Sequence, residues 1–137
     1  MKKSISVINF KFSALIGALA LSASFSAQAQ AWPNKQITFV VPFTPGSATD
    51  IMARVIGEKL GPRLGQTVVV ENRVGAGGRI AAEALKNAPP NGTTVMLAPI
   101  VVPVLAPLVY KKLNYEVQKD LAPVAHIADF QFGVSVK

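Results

Sequence analysis

Apolar positions in this chain follow two periods, one suited to strands and one to helices. Gln36–Val41 is a short β-branched run and predicts a strand. Thr49–Leu64 carries Ile51, Val55, Ile56, Leu60 and Leu64 at successive spacings of four, one, four and four, which predicts a helix with those residues inward. Thr67–Glu71 predicts a second strand. Arg79–Ala88 predicts a second helix, with Ile80, Ala84, Leu85 and Ala88 inward. Pro89-Pro90-Asn91-Gly92 is a turn, and Thr94–Ala98 predicts a third strand. Strand, glycine-bearing loop and helix, repeated, predict an α/β domain with a parallel sheet. Right-handed crossovers then put both helix N-termini at the carboxyl edge of that sheet. Further on, a short helix is expected around Val104–Tyr110 and strands over Leu121–Ile127 and Phe132–Val136.

The punctuation between elements adds detail. Ser47-Ala48-Thr49-Asp50 fits a capping box, with Asp50 well placed for the helix dipole and for an i+4 pair with Arg54. Pro62 falls in the last turn of the first helix, and Gly65 is its stop.

Ahead of Trp32 the pattern changes. Lys2, Lys3 and Lys11 precede or open an apolar, uncharged stretch, Phe12–Phe25, with no acidic residue before Asp50. Ala27-Gln28-Ala29 and Ala29-Gln30-Ala31 both present small residues at the spacing a signal peptidase requires. Residues 1–31 therefore read as a secretory signal peptide. A membrane anchor is the competing reading, but a spanning helix needs about 20 apolar residues. The chain has no cysteine, which excludes a lipid anchor on cysteine, disulfides and thiolate metal sites.

Composition then narrows the function. Of 137 residues, the stretch after residue 31 is enough for one small domain or one lobe of a larger one. Three of the 14 basic residues and none of the 7 acidic ones precede Trp32, so the formal charge of +7 becomes +4 beyond it. Those charges are scattered, with Lys111-Lys112 the only basic pair. That argues against a nucleic-acid partner, which asks for a clustered basic face with interleaved aromatics. A modest positive field suits small anions.

Pro45-Gly46-Ser47-Ala48-Thr49-Asp50 runs into a helix N-terminus, where unpaired backbone N–H groups and the dipole favour an anion. An ordinary capped helix start explains the same residues equally well. Gly75-Ala76-Gly77-Gly78 follows a strand and opens a helix. The dinucleotide fingerprint G-x-G-x-x-G fails at Ile80, and no P-loop lysine follows, so no cofactor is expected. What remains is a loop whose backbone can approach a ligand closely. His126, the lone histidine, has no partner at metal-ligand spacing and reads as structural. Ser47 lacks a nucleophile-elbow context. No acid–base or nucleophilic constellation emerges, so an enzyme is not expected.

The order of motifs resembles one family. Trp32-Pro33, Val41-Pro42-Phe43-x-Pro45-Gly46, Ala48-Thr49-Asp50 with Ala53-Arg54, Val70-Glu71-Asn72-Arg73-x-Gly75-Ala76-Gly77-Gly78, Ala88-Pro89-Pro90-x-Gly92, and Leu113-x-Tyr115 with Lys119-Asp120-x-Ala122-Pro123-Val124 are similar to the Bug-type receptors. These are the periplasmic solute-binding proteins of tripartite tricarboxylate transporters.

The resemblance implies an α/β, type II periplasmic-binding-protein-like lobe, a Rossmann-like three-layer sandwich that is incomplete in this chain. Residues 32–130 would form the N-terminal part of the first lobe, and 131–137 would begin the passage to a second. It implies a periplasmic location, a small carboxylate-bearing solute, membrane permease subunits as partners and a monomeric full-length receptor. It points to Pro45, Gly46, Ser47, Ala48, Thr49 and Asp50 as carboxylate-holding positions. Asn72, Gly75, Ala76, Gly77 and Gly78 would form another wall.

Two departures refine the expectation. Ser47 stands where many members have a second glycine. The stretch Ala98–Ala106 is apolar where many carry a polar loop, which favours one carboxylate on an apolar body over a polyacid. An exported α/β enzyme and a small interaction module are the alternatives. The coding sequence downstream of Lys137 would discriminate them.

Overall fold

The computed structural model describes residues 32–130 and 133. The expected signal peptide and the strand over Phe132–Val136 lie outside the described residues, apart from Gly133.

Three parallel strands form the sheet: β1 (Ile37–Val41), β2 (Val68–Asn72) and β3 (Thr94–Met96), in the order β2-β1-β3. The register pairs Ile37 with Val68, Val41 with Asn72, and Phe39 with both Val70 and Val95. A central strand in a covered sheet is apolar on both faces, and β1 fits this, with Ile37, Phe39, Val40 and Val41 buried.

Helix α1 (Ala48–Leu64) joins β1 to β2, and α2 (Arg79–Lys86) lies between β2 and β3. They cover opposite faces. Ile37, Phe39, Val41 and Leu97 pack with Ala53, Met52, Ile56 and Leu60 of α1. On the other side, Ala82 of α2 gathers with Val102, Tyr115, Met96 and Leu113. The result is the three-layer α/β arrangement expected from the sequence. Among the described residues no helix is long and apolar enough to cross a membrane.

The inward faces of both helices differ from those expected. Ile51 and Val55 are 54% and 53% exposed, while Ala53 and Gly57 are buried. The cause is close approach: a Cβ added at Gly57 would stand 3.0 Å from Val68 Cγ1. Small residues therefore define the docking stripe of α1, and Ile56, Leu60 and Leu64 pack beside it as expected. In α2 the fully buried residues are Ala81 and Ala82. Ile80 turns outward and folds over Gly75, whose hypothetical Cβ would meet Ile80 Cδ1 at 2.5 Å.

After β3 the chain enters a π-helical turn (Val101–Leu105) that continues into α3 (Ala106–Val109), beginning earlier than the expected helix. A further short helix, α4 (Val117–Asp120), was not anticipated. The strand expected over Leu121–Ile127 is not formed: this stretch is irregular, and Val124 is 83% exposed. Strand propensity reflects packing on a pleated surface more than the backbone itself, and no described strand pairs with these residues.

Tyr115, buried in the second cluster, donates its hydroxyl to the Val102 carbonyl at 2.8 Å and so ties the segment after β3 to the chain beyond α3. Burial pushes the Tyr115 pKa upward. Tyr115→Phe leaves that carbonyl unpaired, a loss of about 1–2 kcal/mol. The expected readout is a lower urea midpoint with an unchanged denaturant slope; an unchanged midpoint would show that the bond is not needed.

Candidate functional site

The strand order reverses beside β1. The chain steps from β1 to β2 on one side and later arrives at β3 on the other. In an open parallel sheet such a reversal leaves a crevice at the carboxyl ends of the two strands, here between the loops after β1 and β3. An open groove of about 510 Å³ lies at the opposite edge, lined by Gly57, Gly61, Gly65 and the start of β2. It is away from the converging loops.

The loop after β1 is built by a short series of local bonds. Ser47 N–H donates to Thr44 O at 3.1 Å, and Gly46 adopts φ +82°. Ser47 is the N-cap of α1 and its Oγ accepts from Asp50 N–H at 3.3 Å. In a capping box the acidic side chain returns to the N-cap amide. Here Asp50 Oδ2 instead takes Gly46 N–H, one residue earlier, at 2.9 Å. Ile51 N–H closes the first helical bond onto Ser47 O. The amides of Ala48 and Thr49 have no hydrogen-bond partner among the described residues. These two donors sit at the positive end of the 17-residue α1.

Asp50 is 2% exposed and anchors a clamp. Arg54 Nε reaches Oδ2 and Arg54 Nη2 reaches Oδ1, both at 3.0 Å. Asn72, the last residue of β2, donates Nδ2 to Asp50 Oδ1 at 2.9 Å and to Phe43 O at 3.0 Å. Arg54 Nη2 also lies 3.4 Å from Asn72 Oδ1. The Arg54 hydrogen bonds, then the Gly46 amide and Asn72, hold the Asp50 pKa down at about 2. The same pairing raises that of Arg54. The i+4 pair expected from the sequence is present, and Asn72 joins it from the neighbouring strand.

The glycine-rich loop divides into two parts. Gly75, Ala76, Gly77 and Gly78 all have positive φ, and Gly78 N–H bonds back to Gly75 O at 3.0 Å. Gly78 is buried: a Cβ there would stand 2.6 Å from Val102 Cγ2 and 3.1 Å from Pro42 Cβ. It thus joins the loops after β1, β2 and β3 from beneath. Ala76 and Gly77 are exposed, and only their backbone faces outward without a bulky side chain. Sequence reasoning did not single out Arg79, which donates Nε to Ala76 O at 2.8 Å and stacks 3.9 Å from the Tyr110 ring centre. An arginine directly after two glycines was the available signal, but its aromatic partner is 31 residues away.

Pro45 is an exposed residue of the turn before Gly46, and Ala48 is exposed at the first position of α1. Thr49 is buried. The structure therefore gathers Pro45–Asp50 and Asn72 into one constellation, with Gly75–Gly78 packed against its base through Pro42. His126 lies elsewhere, 74% exposed and 3.2 Å from Asp129. Among the described residues no group of three or more histidine, aspartate or glutamate side chains could hold a metal ion.

Residues 52–137 match the model of the tripartite tricarboxylate transporter family receptor. A UPF0065 protein of Bordetella bronchiseptica is 44% identical over 118 residues, covering 86% of this chain and 35% of its own length. Among solved structures, MatC of Rhodopseudomonas palustris with bound malate aligns over 65% of this chain and 30% of that one, at 37% identity and a TM-score of 0.62. An R. palustris protein solved with adipate aligns over 64% of this chain and 29% of that one, at 38% identity and a TM-score of 0.61. The chain thus spans about a third of the length of these relatives. With a matching family model over most of its length and the same α/β fold at substantial identity, this chain belongs to the receptor family of the tripartite tricarboxylate transporters.

Proposed function

We propose that this chain forms part of one lobe of a periplasmic receptor that captures a small carboxylate-bearing solute for a tripartite transporter, handing it to membrane permease subunits. The observation that carries the reading is the two unpaired amides, Ala48 and Thr49, at the start of α1 beside the β1/β3 crevice. A helix start with unpaired N–H groups is a ready anion site. Two relatives were solved with small carboxylates, malate in one and adipate in the other.

Arg54, Arg73 and Arg79 are already engaged, Arg73 through Glu71. Arg54 is bound to Asp50, and Arg79 is held by Ala76 O and Tyr110. Recognition on this lobe therefore rests on backbone amides, enough for one carboxylate. The segment after β3 offers the exposed Ala98 and Ile100 rather than side-chain donors. This lobe favours a solute with one carboxylate here and an apolar body.

The test is titration calorimetry on the longest reading frame that contains this chain, with Trp32–Lys137 alone in parallel. The panel is hexanoate, benzoate, adipate, malate and citrate. Charge-assisted hydrogen bonds contribute about 1.5–3 kcal/mol each. Against association costs of several kcal/mol, two such bonds plus apolar burial predict roughly micromolar dissociation constants. Hexanoate, benzoate or adipate should bind more tightly than citrate. Trp32–Lys137 alone should bind far more weakly, because such receptors enclose the solute from two sides. A folded protein that binds no panel member refutes the reading.

A further inference from the structure

We infer that Asn72 is a positioning residue, which fixes the loop presenting the Ala48 and Thr49 amides and does not itself touch the solute. The inference rests on the carboxylate-receptor reading but assigns Asn72 a role different from a wall of the pocket.

The argument is an accounting of hydrogen-bonding capacity. An asparagine amide has two N–H donors. Those of Asn72 are directed at Phe43 O (3.0 Å) and Asp50 Oδ1 (2.9 Å). Its own Oδ1 faces Arg54 Nη2. No donor is left for a carboxylate. Asp50 is likewise filled, with Gly46 N–H and Arg54 Nε on Oδ2 and with Arg54 Nη2 and Asn72 Nδ2 on Oδ1. A buried carboxylate surrounded in this way has no room for a solute anion, which would also repel it.

The placement of Asn72 explains why the clamp matters. Phe43 lies near the start of the loop and Asp50 in the first turn of α1 just after it, so one side chain from β2 ties both flanks of the loop. Asn72 is fixed in turn by its register with Val41 and by Arg73 N–H on Val41 O at 2.8 Å. The loop is thus referenced to the rigid sheet, and a site held by a rigid scaffold binds with less ordering cost.

The experiment uses hydrogen–deuterium exchange of the segment 43–52 and calorimetry with adipate, in the same reading frame as above. In Asn72→Ala, the Gly46 amide should lose protection without any solute present, and adipate affinity should fall about five- to twentyfold, less than the full worth of a charge-assisted bond because the lost bond holds the loop and not the solute. Asn72→Asp keeps the shape but turns the donors into a carboxylate beside Asp50. At pH 7 it should behave like Asn72→Ala. As the pH falls, a proton shared between the two carboxyls restores a bridge, and protection of Gly46 should partly return in this variant only.

Full protection of Gly46 in Asn72→Ala, or weaker adipate binding with protection unchanged, would overturn the inference, the second result pointing to direct contact. An Asn72→Asp protection factor for Gly46, taken relative to intrinsic exchange at each pH, that does not rise as the pH falls would also count against it. If the unaltered protein binds no carboxylate, the receptor reading fails by itself, and the exchange data still judge the clamp.

Discussion

Gly78→Ala is expected to be among the most destabilising single substitutions in the described part of this protein. The residue has φ +88°, which costs an L-residue roughly 1–2 kcal/mol. The added Cβ would also stand 2.6 Å from Val102 Cγ2 and 3.1 Å from Pro42 Cβ, so both neighbours must move. Overpacking of this sort costs about 1–3 kcal/mol. The combined loss of about 2–5 kcal/mol is a large part of a typical domain's stability. Gly46→Ala supplies the internal control, since Gly46 has φ +82° and nothing within 4 Å of its hypothetical Cβ. It should lose only the backbone part. Urea unfolding of the two variants separates the effects. A Gly78→Ala midpoint equal to that of Gly46→Ala would show that the three loops do not pack against this glycine.

The second large effect is expected at Asp50. Asp50→Asn removes the charge that Arg54 and the Gly46 amide are arranged around, and puts an N–H group where only acceptors fit. Carboxylate affinity should fall on the order of tenfold at pH 7, because the donors that shape the loop lose their common acceptor.

The pH dependence separates charge from shape. The Asp50 carboxyl lies at about 2 in the folded protein, below its ordinary 3.8, chiefly because of the Arg54 hydrogen bonds. Between those values the unfolded chain binds the proton more readily than the folded one. The stabilisation is therefore complete above the ordinary carboxyl range and is lost as pH falls through about 2. Wild-type stability should decline across that acid window, and Asp50→Asn should lack this component of the slope. Equal slopes in the two proteins would mean that Asp50 titrates normally and the clamp is not charge-dependent. The same titration bears on Asp120, whose pKa is also lowered, first by the Glu116 amide and then by Lys86. It should persist in Asp50→Asn.

Much of this architecture was legible before any coordinates. The β-branched run at Ile37–Val41, the Ser47 cap, the Gly65 stop and the glycines at 75–78 are local signals, and each governs structure within a few residues of itself. The parallel sheet followed from the alternation of strands and helices, while its strand order came from the fold. The i+4 spacing of Asp50 and Arg54 foretold their pairing. Motif order over the chain also pointed to the receptor family, and the matching family model supports it.

What the tertiary structure decided is where distant residues compete for the same space or the same acceptor. The helix faces turned on volume: large Ile51 and Val55 lost the buried positions to Ala53 and Gly57, because α1 approaches Val68 too closely for a bigger side chain. The Leu121–Ile127 stretch has β-branched residues but no described strand beside it, and propensity without a partner does not make a strand. Arg79 found Tyr110 across a gap of 31 residues, and Asn72 found Asp50 and Phe43 across the β1–β2 register. Sequence therefore determined the elements and their caps, since those depend on neighbours along the chain. Only the folded sheet decided which amides at the start of α1 stay unpaired and which side chains are consumed in the Asp50 clamp, because that is set by hydrogen bonds between residues distant in sequence.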